Sequence, residues 1–310
     1  MSTIYDPESP YILARYQGTK PPAPFWFDAA LARTPERTSF PSQGAAIELL
    51  CWGEIGQPGL LFLHGNGAHA DWWSAIAPFF ADDWRCAALS FSGMGRSERR
   101  AEGYTVDLLA QEIRDAVTCA QFNPGLPPIV IAHSMGGMLA LRAAADNPGL
   151  RGLIIIDSPL GMPQQRFEAM REGAPKPHAT RRPFASLAEG LARFRLSPPQ
   201  PCINDYMVDH IARGALVEED GTWFWHFDPR RISVPEQGIQ ARIDRVTCPL
   251  AFLYGERSAM LDDENLAGTR AALPPGAPMI AIPDAAHHVP IDQPLALVAA
   301  LRALLAGWGG

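Results

Sequence analysis

The amino-acid sequence predicts an α/β fold built on one doubly wound, mostly parallel sheet. Three observations predict it. Short continuous apolar runs end in turns, as strands buried on both faces do. Stretches with one apolar helical face separate those runs. The alternation stops in the middle of the 310 residues and resumes near their end, so the middle reads as an insertion into one sheet.

Residues 1–45 are rich in proline and aromatics, notably Pro21-Pro22-Ala23-Pro24-Phe25-Trp26-Phe27. Consecutive prolines feed neither helix nor ladder hydrogen bonds, which predicts an extended arm lying on the body. The core begins at 46 and runs to 158, with strands expected over 47–52, 59–63, 85–91, 128–132 and 153–156. Between them, 106–120 places Leu108, Leu109, Ile113 and Val117 on one helical face, and 135–145 is closed by Asn147-Pro148-Gly149. Residues 159–245 break the rhythm. Ser186 and Glu189 form a capping box for a helix carrying Leu187, Leu191 and Phe194, and a second helical stretch follows over 205–215. Trp223-Phe224-Trp225-His226-Phe227 is dense in aromatics. Such an insertion is expected above the sheet as a mainly helical lid. The core resumes over 246–310, with strands at 250–254 and 278–282 and a closing helix at 294–306.

Composition removes several classes of function. At 47% hydrophobic and 19% charged residues the chain buries a sizeable core and is not disordered. Twenty-six Lys and Arg against 33 Asp and Glu give a formal charge of −7, which argues against nucleic acid or an anionic membrane as partner. No apolar stretch reaches the roughly 18 residues of a spanning helix. The opening MSTIYDPESPYILARY lacks a basic end followed by an apolar run, so no signal peptide is expected. Five scattered cysteines without C-x-x-C read as reduced thiols of a cytoplasmic protein. The eight histidines include no H-E-x-x-H, and the adjacent His287 and His288 are not expected to chelate together. No metal and no cofactor is expected, and activity should survive a chelator. Oligomeric state is left open.

The chemistry is concentrated in four motifs. Ile129-Val130-Ile131-Ala132-His133-Ser134-Met135-Gly136-Gly137 drives a buried strand into a helix through a serine flanked by small residues. This resembles the G-x-S-x-G nucleophile turn of the α/β-hydrolase superfamily, with Ala132 in the first glycine's place. Leu61-Phe62-Leu63-His64-Gly65-Asn66-Gly67 resembles the superfamily's H-G-x loop. The resemblance implies an oxyanion hole made by the backbone N–H groups of Asn66 and Met135, with His64 as a loop brace and Trp73 as a packing residue. The Asn66 side chain is either a third donor or a structural turn residue. Ser90-Phe91-Ser92-Gly93-Met94-Gly95-Arg96-Ser97 resembles the D-x-x-G-x-G-x-S turn, with Ser90 replacing Asp. Its G-x-G lacks the third glycine that nucleotide binding requires.

Near the C-terminus, Asp284-Ala285-Ala286-His287-His288-Val289 up to Pro294 resembles the superfamily's G-H-x₆-P stretch. Pro294 lies seven residues after His287, which selects His287 as the base. His133 and His288 are then pocket neighbours. The resemblance spans about residues 46–308 and implies an α/β-hydrolase fold and an acyl-enzyme mechanism on Ser134. The third member is the open question. The superfamily's usual acid position falls on Ser258, in Leu253-Tyr254-Gly255-Glu256-Arg257-Ser258. Some members carry the acid at the end of the strand after the nucleophile helix, which here is Asp157. Asp157 is the choice, with Glu256, Asp262 and Asp263 as fallbacks.

These readings combine into a serine hydrolase cleaving a small-molecule carboxylic ester with a hydrophobic group, which Trp223, Trp225, His133 and His288 would line. Two alternatives stay open. The same machinery cleaves an amide, thioester, lactone or C–C bond, or the chain is a catalytically retired binding protein on the hydrolase scaffold.

Overall fold

The computed structural model describes residues 11–146, 149–163, 165–166, 169, 181–228, 230 and 239–308. In chain order the strands of the first half are β1 (Glu36–Ser42), β2 (Ala45–Trp52), β3 (Gly59–Leu63), β4 (Arg85–Leu89), β5 (Ile129–His133) and β6 (Gly152–Ile156). Then come β7 (Pro183–Phe184), β8 (Leu216–Glu219), β9 (Thr222–Trp225), β10 (Leu250–Gly255) and β11 (Met279–Ile282). The described helices are α1 (Phe25–Ala32), α2 (Val106–Cys119), α3 (Met135–Asp146), α4 (Leu187–Leu191), α5 (Asp205–Gly214), α6 (Ile239–Ile243), α7 (Asp263–Ala272), α8 (Val289–Asp292) and α9 (Pro294–Gly307).

Eight strands form one sheet in the order β1-β2-β4-β3-β5-β6-β10-β11. Pairing is parallel from β4 to β11 and antiparallel only where β2 joins β1 and β4. The continuous apolar runs explain the architecture, because alternate side chains leave on opposite faces. Leu50, Leu60, Phe62, Ile131 and Ile154 enter one core cluster, which α1 and α9 cover with Phe27, Leu297 and Leu301. Leu49, Leu61, Val130, Ile155 and Phe252 enter the other, covered by Leu109 and Ile113 of α2 and Leu139 of α3. This is the doubly wound α/β sheet expected from the alternation.

The extended arm expected over 1–45 needs correction for its described part. Residues 25–32 form α1 and residues 36–42 form β1, the edge strand of the sheet. The prolines do not prevent this. Pro21, Pro22 and Pro24 precede the helix, where no helical N–H is lost, and Pro41 lies on an edge strand, where a missing donor is tolerated. Gln43 and Gly44, at φ +45° and +81°, turn β1 into β2. Such a pair is the tight turn a two-residue hairpin requires. Residues 1–10 and the helix stop at Asn147 and Pro148 lie outside the described residues.

Between β6 and β10 the chain adds, beside its helices, a three-stranded antiparallel sheet in the order β7-β9-β8. Ser186 caps α4 by accepting from the Glu189 N–H at 3.2 Å, and Glu189 accepts from the Ala185 N–H at 2.8 Å. Met207, Val208, Ile211 and Ala212 of α5 are buried in the same cluster as the sheet face under α9. Among the described residues no helix is long and apolar enough to cross a membrane.

Candidate active site

β5 ends at His133 and α3 begins at Met135, so Ser134 alone makes the turn. It does so at φ +53°, a left-handed backbone that costs a non-glycine residue about 1–3 kcal/mol. Surrounding contacts hold it there. The Ser134 N–H donates to Ile156 O at 2.8 Å, and its carbonyl accepts from the Gly137 N–H (2.9 Å) and the Ser158 hydroxyl (2.6 Å). The two glycines after it are sites of close approach. A Cβ on Gly136 would meet His64 O at 2.7 Å, and one on Gly137 would meet Ser158 Oγ at 2.2 Å.

Ser134 Oγ lies 3.0 Å from His287 Nε2, and His287 Nδ1 lies 2.7 Å from Asp157 Oδ1. These partners fix the tautomer: Nδ1–H donates to the carboxylate, and Nε2 accepts the serine proton. Asp157 follows β6 directly, also at positive φ (+48°), and is fully buried. Its Oδ2 accepts from the Gly255 N–H at 2.8 Å and its Oδ1 from the Ser258 hydroxyl at 2.7 Å. The carboxylate therefore has three donors and is closed off from bulk solvent, and such pairing is the condition under which a buried charge is tolerated.

The other acids considered in the sequence are engaged elsewhere. Asp262 caps α7 by accepting from the Asn265 N–H at 3.0 Å and pairs with Arg166. Asp263 is an exposed residue of the first turn of α7. Glu256 is exposed and accepts from the Asp284 N–H at 3.2 Å.

Met135 opens α3, so its N–H has no partner within the helix, and Asn66 is exposed on the loop after β3. A Cβ on Gly65 would lie 3.1 Å from Ser134 Cβ, which shows how closely this loop passes the serine. His64 is a brace: its Nε2 accepts from the Phe91 N–H at 3.0 Å and its Nδ1–H donates to Gly65 O at 2.7 Å. Burial pushes its pKa down to about 3. Trp73 is buried against Phe62, ring centres 5.1 Å apart.

His133 and His288 stand beside His287, with ring centres 5.0 Å from it in both cases. Burial pushes His133 well below its ordinary value and His288 down to about 3, and the neighbouring rings add to both. Trp72 stacks over His133 at 23° and meets His288 edge-on at 5.5 Å. Sequence reading passed over Trp72, although it adjoins the singled-out Trp73. One ring nitrogen from each of His133, His287 and His288 lies within 4.8 Å of the other two, although adjacency had argued against His287 and His288 chelating together. Trp225 packs against Phe184 and Phe194 of its own segment, and Trp223 is half-buried on β9.

A further feature was invisible in the sequence. Gln200 reaches the histidine loop, donating to Asp292 Oδ2 at 2.7 Å and accepting from the His288 N–H at 3.1 Å. Asp292 Oδ2 also accepts from the Ala286 N–H at 2.8 Å, and burial pushes this carboxyl up to about 6.

A doubly wound sheet that lifts a serine on a strained strand-to-helix turn is the architecture of an α/β hydrolase. The family model described as "Alpha/beta hydrolase family" matches residues 60–301, and the chain belongs to that family. Among curated proteins it is similar to "Esterase Rv0045c" of Mycobacterium tuberculosis, 27% identical over 85% of this chain and 87% of the relative. Solved structures of similar fold include one described as "Transition metal inhibition and structural refinement of the M. tuberculosis esterase, Rv0045c" (TM-score 0.68, 21% identity, 98% of this chain and 100% of that one). Another is the "Crystal Structure of E-2-(Acetamidomethylene)succinate Hydrolase" (TM-score 0.75, 20% identity, 88% and 99%).

Proposed function

We propose that the protein is a serine hydrolase that cleaves a small-molecule carboxylic ester carrying a hydrophobic group, through an acyl-enzyme. The observation that carries this reading is the continuous path from Ser134 Oγ through His287 to the buried Asp157, at 3.0 and 2.7 Å. In it, His287 Nε2 takes the serine proton as Oγ attacks the ester carbonyl, then gives that proton to the leaving alcohol. Water follows by the same route and releases the acid. The Asn66 and Met135 N–H groups receive the developing oxyanion, worth about 3–4 kcal/mol for a single donor in comparable sites. Asp157 holds the imidazole in its working tautomer and stabilises the imidazolium. Residues 159–245 act as the lid, and Trp72, His133, His288, Trp223 and Trp225 favour an apolar acyl or alcohol group. The esterase name of the curated relative supports the ester over other acyl groups.

The test is a series of nitrophenyl esters of graded acyl length, run beside fluorophosphonate labelling. Short to medium chains should be hydrolysed, and labelling should disappear in Ser134→Ala. A folded protein that labels but is inert to every ester would move the assignment to amides, thioesters, lactones or C–C bonds. A folded protein that neither labels nor turns over would be a binding protein.

A further inference from the structure

The nitrogens around Ser134 are arranged in a way that ester hydrolysis does not use. His133 Nε2–H donates to His287 O at 2.8 Å, so its Nδ1 carries a lone pair. His288 Nε2–H donates to Pro198 O at 3.1 Å, so its Nδ1 carries one too. Both Nδ1 atoms are buried and have no hydrogen-bond partner. The third lone pair is that of His287 Nε2, because its Nδ1–H is held by Asp157. Unpaired buried polar atoms are rare in native structures and call for a reason.

The three rings form a triangle with sides of 5.0, 5.0 and 5.9 Å between centres. One ring nitrogen of each residue lies within 4.8 Å of those of the other two, and a cation with Zn–N bonds of about 2.0–2.1 Å would draw them together. Each imidazole also donates its other N–H to a carbonyl or a carboxylate. That is the outer arrangement that orients metal-binding histidines and raises their basicity. Ser134 Oγ, 3.0 Å from His287 Nε2, stands beside the three rings as a candidate fourth ligand.

We propose that His133, His287 and His288 form a binding site for a borderline divalent cation such as Zn²⁺ or Cu²⁺, and that its occupancy switches the hydrolase off. The cation takes the His287 lone pair that would accept the Ser134 proton, so bound metal and proton transfer exclude one another. It is an inhibitor and not a cofactor, so activity should survive a chelator. Mg²⁺, which prefers oxygen ligands, is excluded by the all-nitrogen donor set. The inhibitory consequence rests on the serine-hydrolase reading; the binding site does not.

Calorimetric titration of ZnCl₂ into the whole protein and into Ser134→Ala, in a buffer that does not chelate, should give one strong site per chain in both. His133→Gln and His288→Gln should each weaken it tenfold or more. With CoCl₂ in place of zinc, the unmodified protein should show the intense visible bands of a tetrahedral nitrogen site, a readout that needs neither activity nor a variant. ZnCl₂ should abolish nitrophenyl ester hydrolysis, EDTA should restore it, and MgCl₂ at the same concentration should do nothing. Absence of a stoichiometric site, or unchanged affinity in both folded histidine variants, overturns the proposal. A protein that binds one zinc but hydrolyses no ester keeps the site and refutes the proposed function instead.

Discussion

Ser258 occupies the position to which the family resemblance of the sequence assigns the acid, and its hydroxyl donates to Asp157 Oδ1 at 2.7 Å. The two positions therefore meet beside His287, a carboxylate at the end of β6 and a hydroxyl just after β10. Asp157→Asn should leave the fold intact and lower kcat by on the order of 10³–10⁴-fold, through the wrong tautomer and a lost charge. Adding Ser258→Asp to that variant should restore part of the rate, because the new carboxylate enters from the other side of the same ring. A near-normal Asp157→Asn alongside a dead Glu256→Gln or Asp262→Asn would show that the acid lies elsewhere. The Ser90 departure is likewise local. Glu48 of β2 supplies the carboxylate there, accepting from Ser90 Oγ at 2.6 Å and from the Arg96 N–H at 3.0 Å, and pairing with Arg37.

The segment 198–204 and α8 are joined by hydrogen bonds that cross from the insertion to the loop bearing His287. Gln200 holds Asp292 and His288, while Asn204 Nδ2 donates to Ile291 O (2.7 Å) and Asp292 O (3.0 Å). Asp292 in turn holds the Ala286 N–H, one residue before His287. Gln200→Ala removes two of these bonds and leaves the His288 N–H without its acceptor, a loss of about 1–3 kcal/mol. If the segment positions His287, kcat should fall about tenfold while KM stays within about twofold, tenfold corresponding to about 1.4 kcal/mol. An unchanged kcat in a variant that has lost thermal stability would make the contact purely structural.

Acid should destabilise the molecule through its buried histidines. In the unfolded chain a histidine takes a proton near pH 6.5. His64 and His288 resist until about 3, and His133 is also pushed well down. Their contribution is complete above about pH 6.5 and is lost as pH falls towards 3, since unfolding then takes up protons. Asp292 works in the opposite direction: its folded carboxyl binds a proton near 6 and the unfolded one near 4, so part of the loss between those values is offset. His64→Gln should reduce the fall in unfolding free energy between about pH 4 and 6 by ~1.4 kcal/mol per pH unit, one proton's worth. Urea titrations across that range measure it, and identical slopes would refute the account.

Local pattern sufficed for the doubly wound sheet, its two apolar faces and the strand-to-helix turn at Ser134. Each depends on neighbours within a few residues: runs of β-branched side chains, or small residues beside a strained φ. β1 and α1 were hidden because their prolines sit at an edge and before a helix start, where only the assembled sheet shows that the missing N–H costs nothing. Three partnerships are separated by 42 to 130 residues: Asp157 with His287, Glu48 with Ser90, and Gln200 with the histidine loop. No periodicity reports such pairs, since strand order and loop closure alone bring them together. The free nitrogens of His133 and His288 are likewise a tertiary fact, because a carbonyl from His287 and another from Pro198 decide which nitrogen of each ring keeps its lone pair.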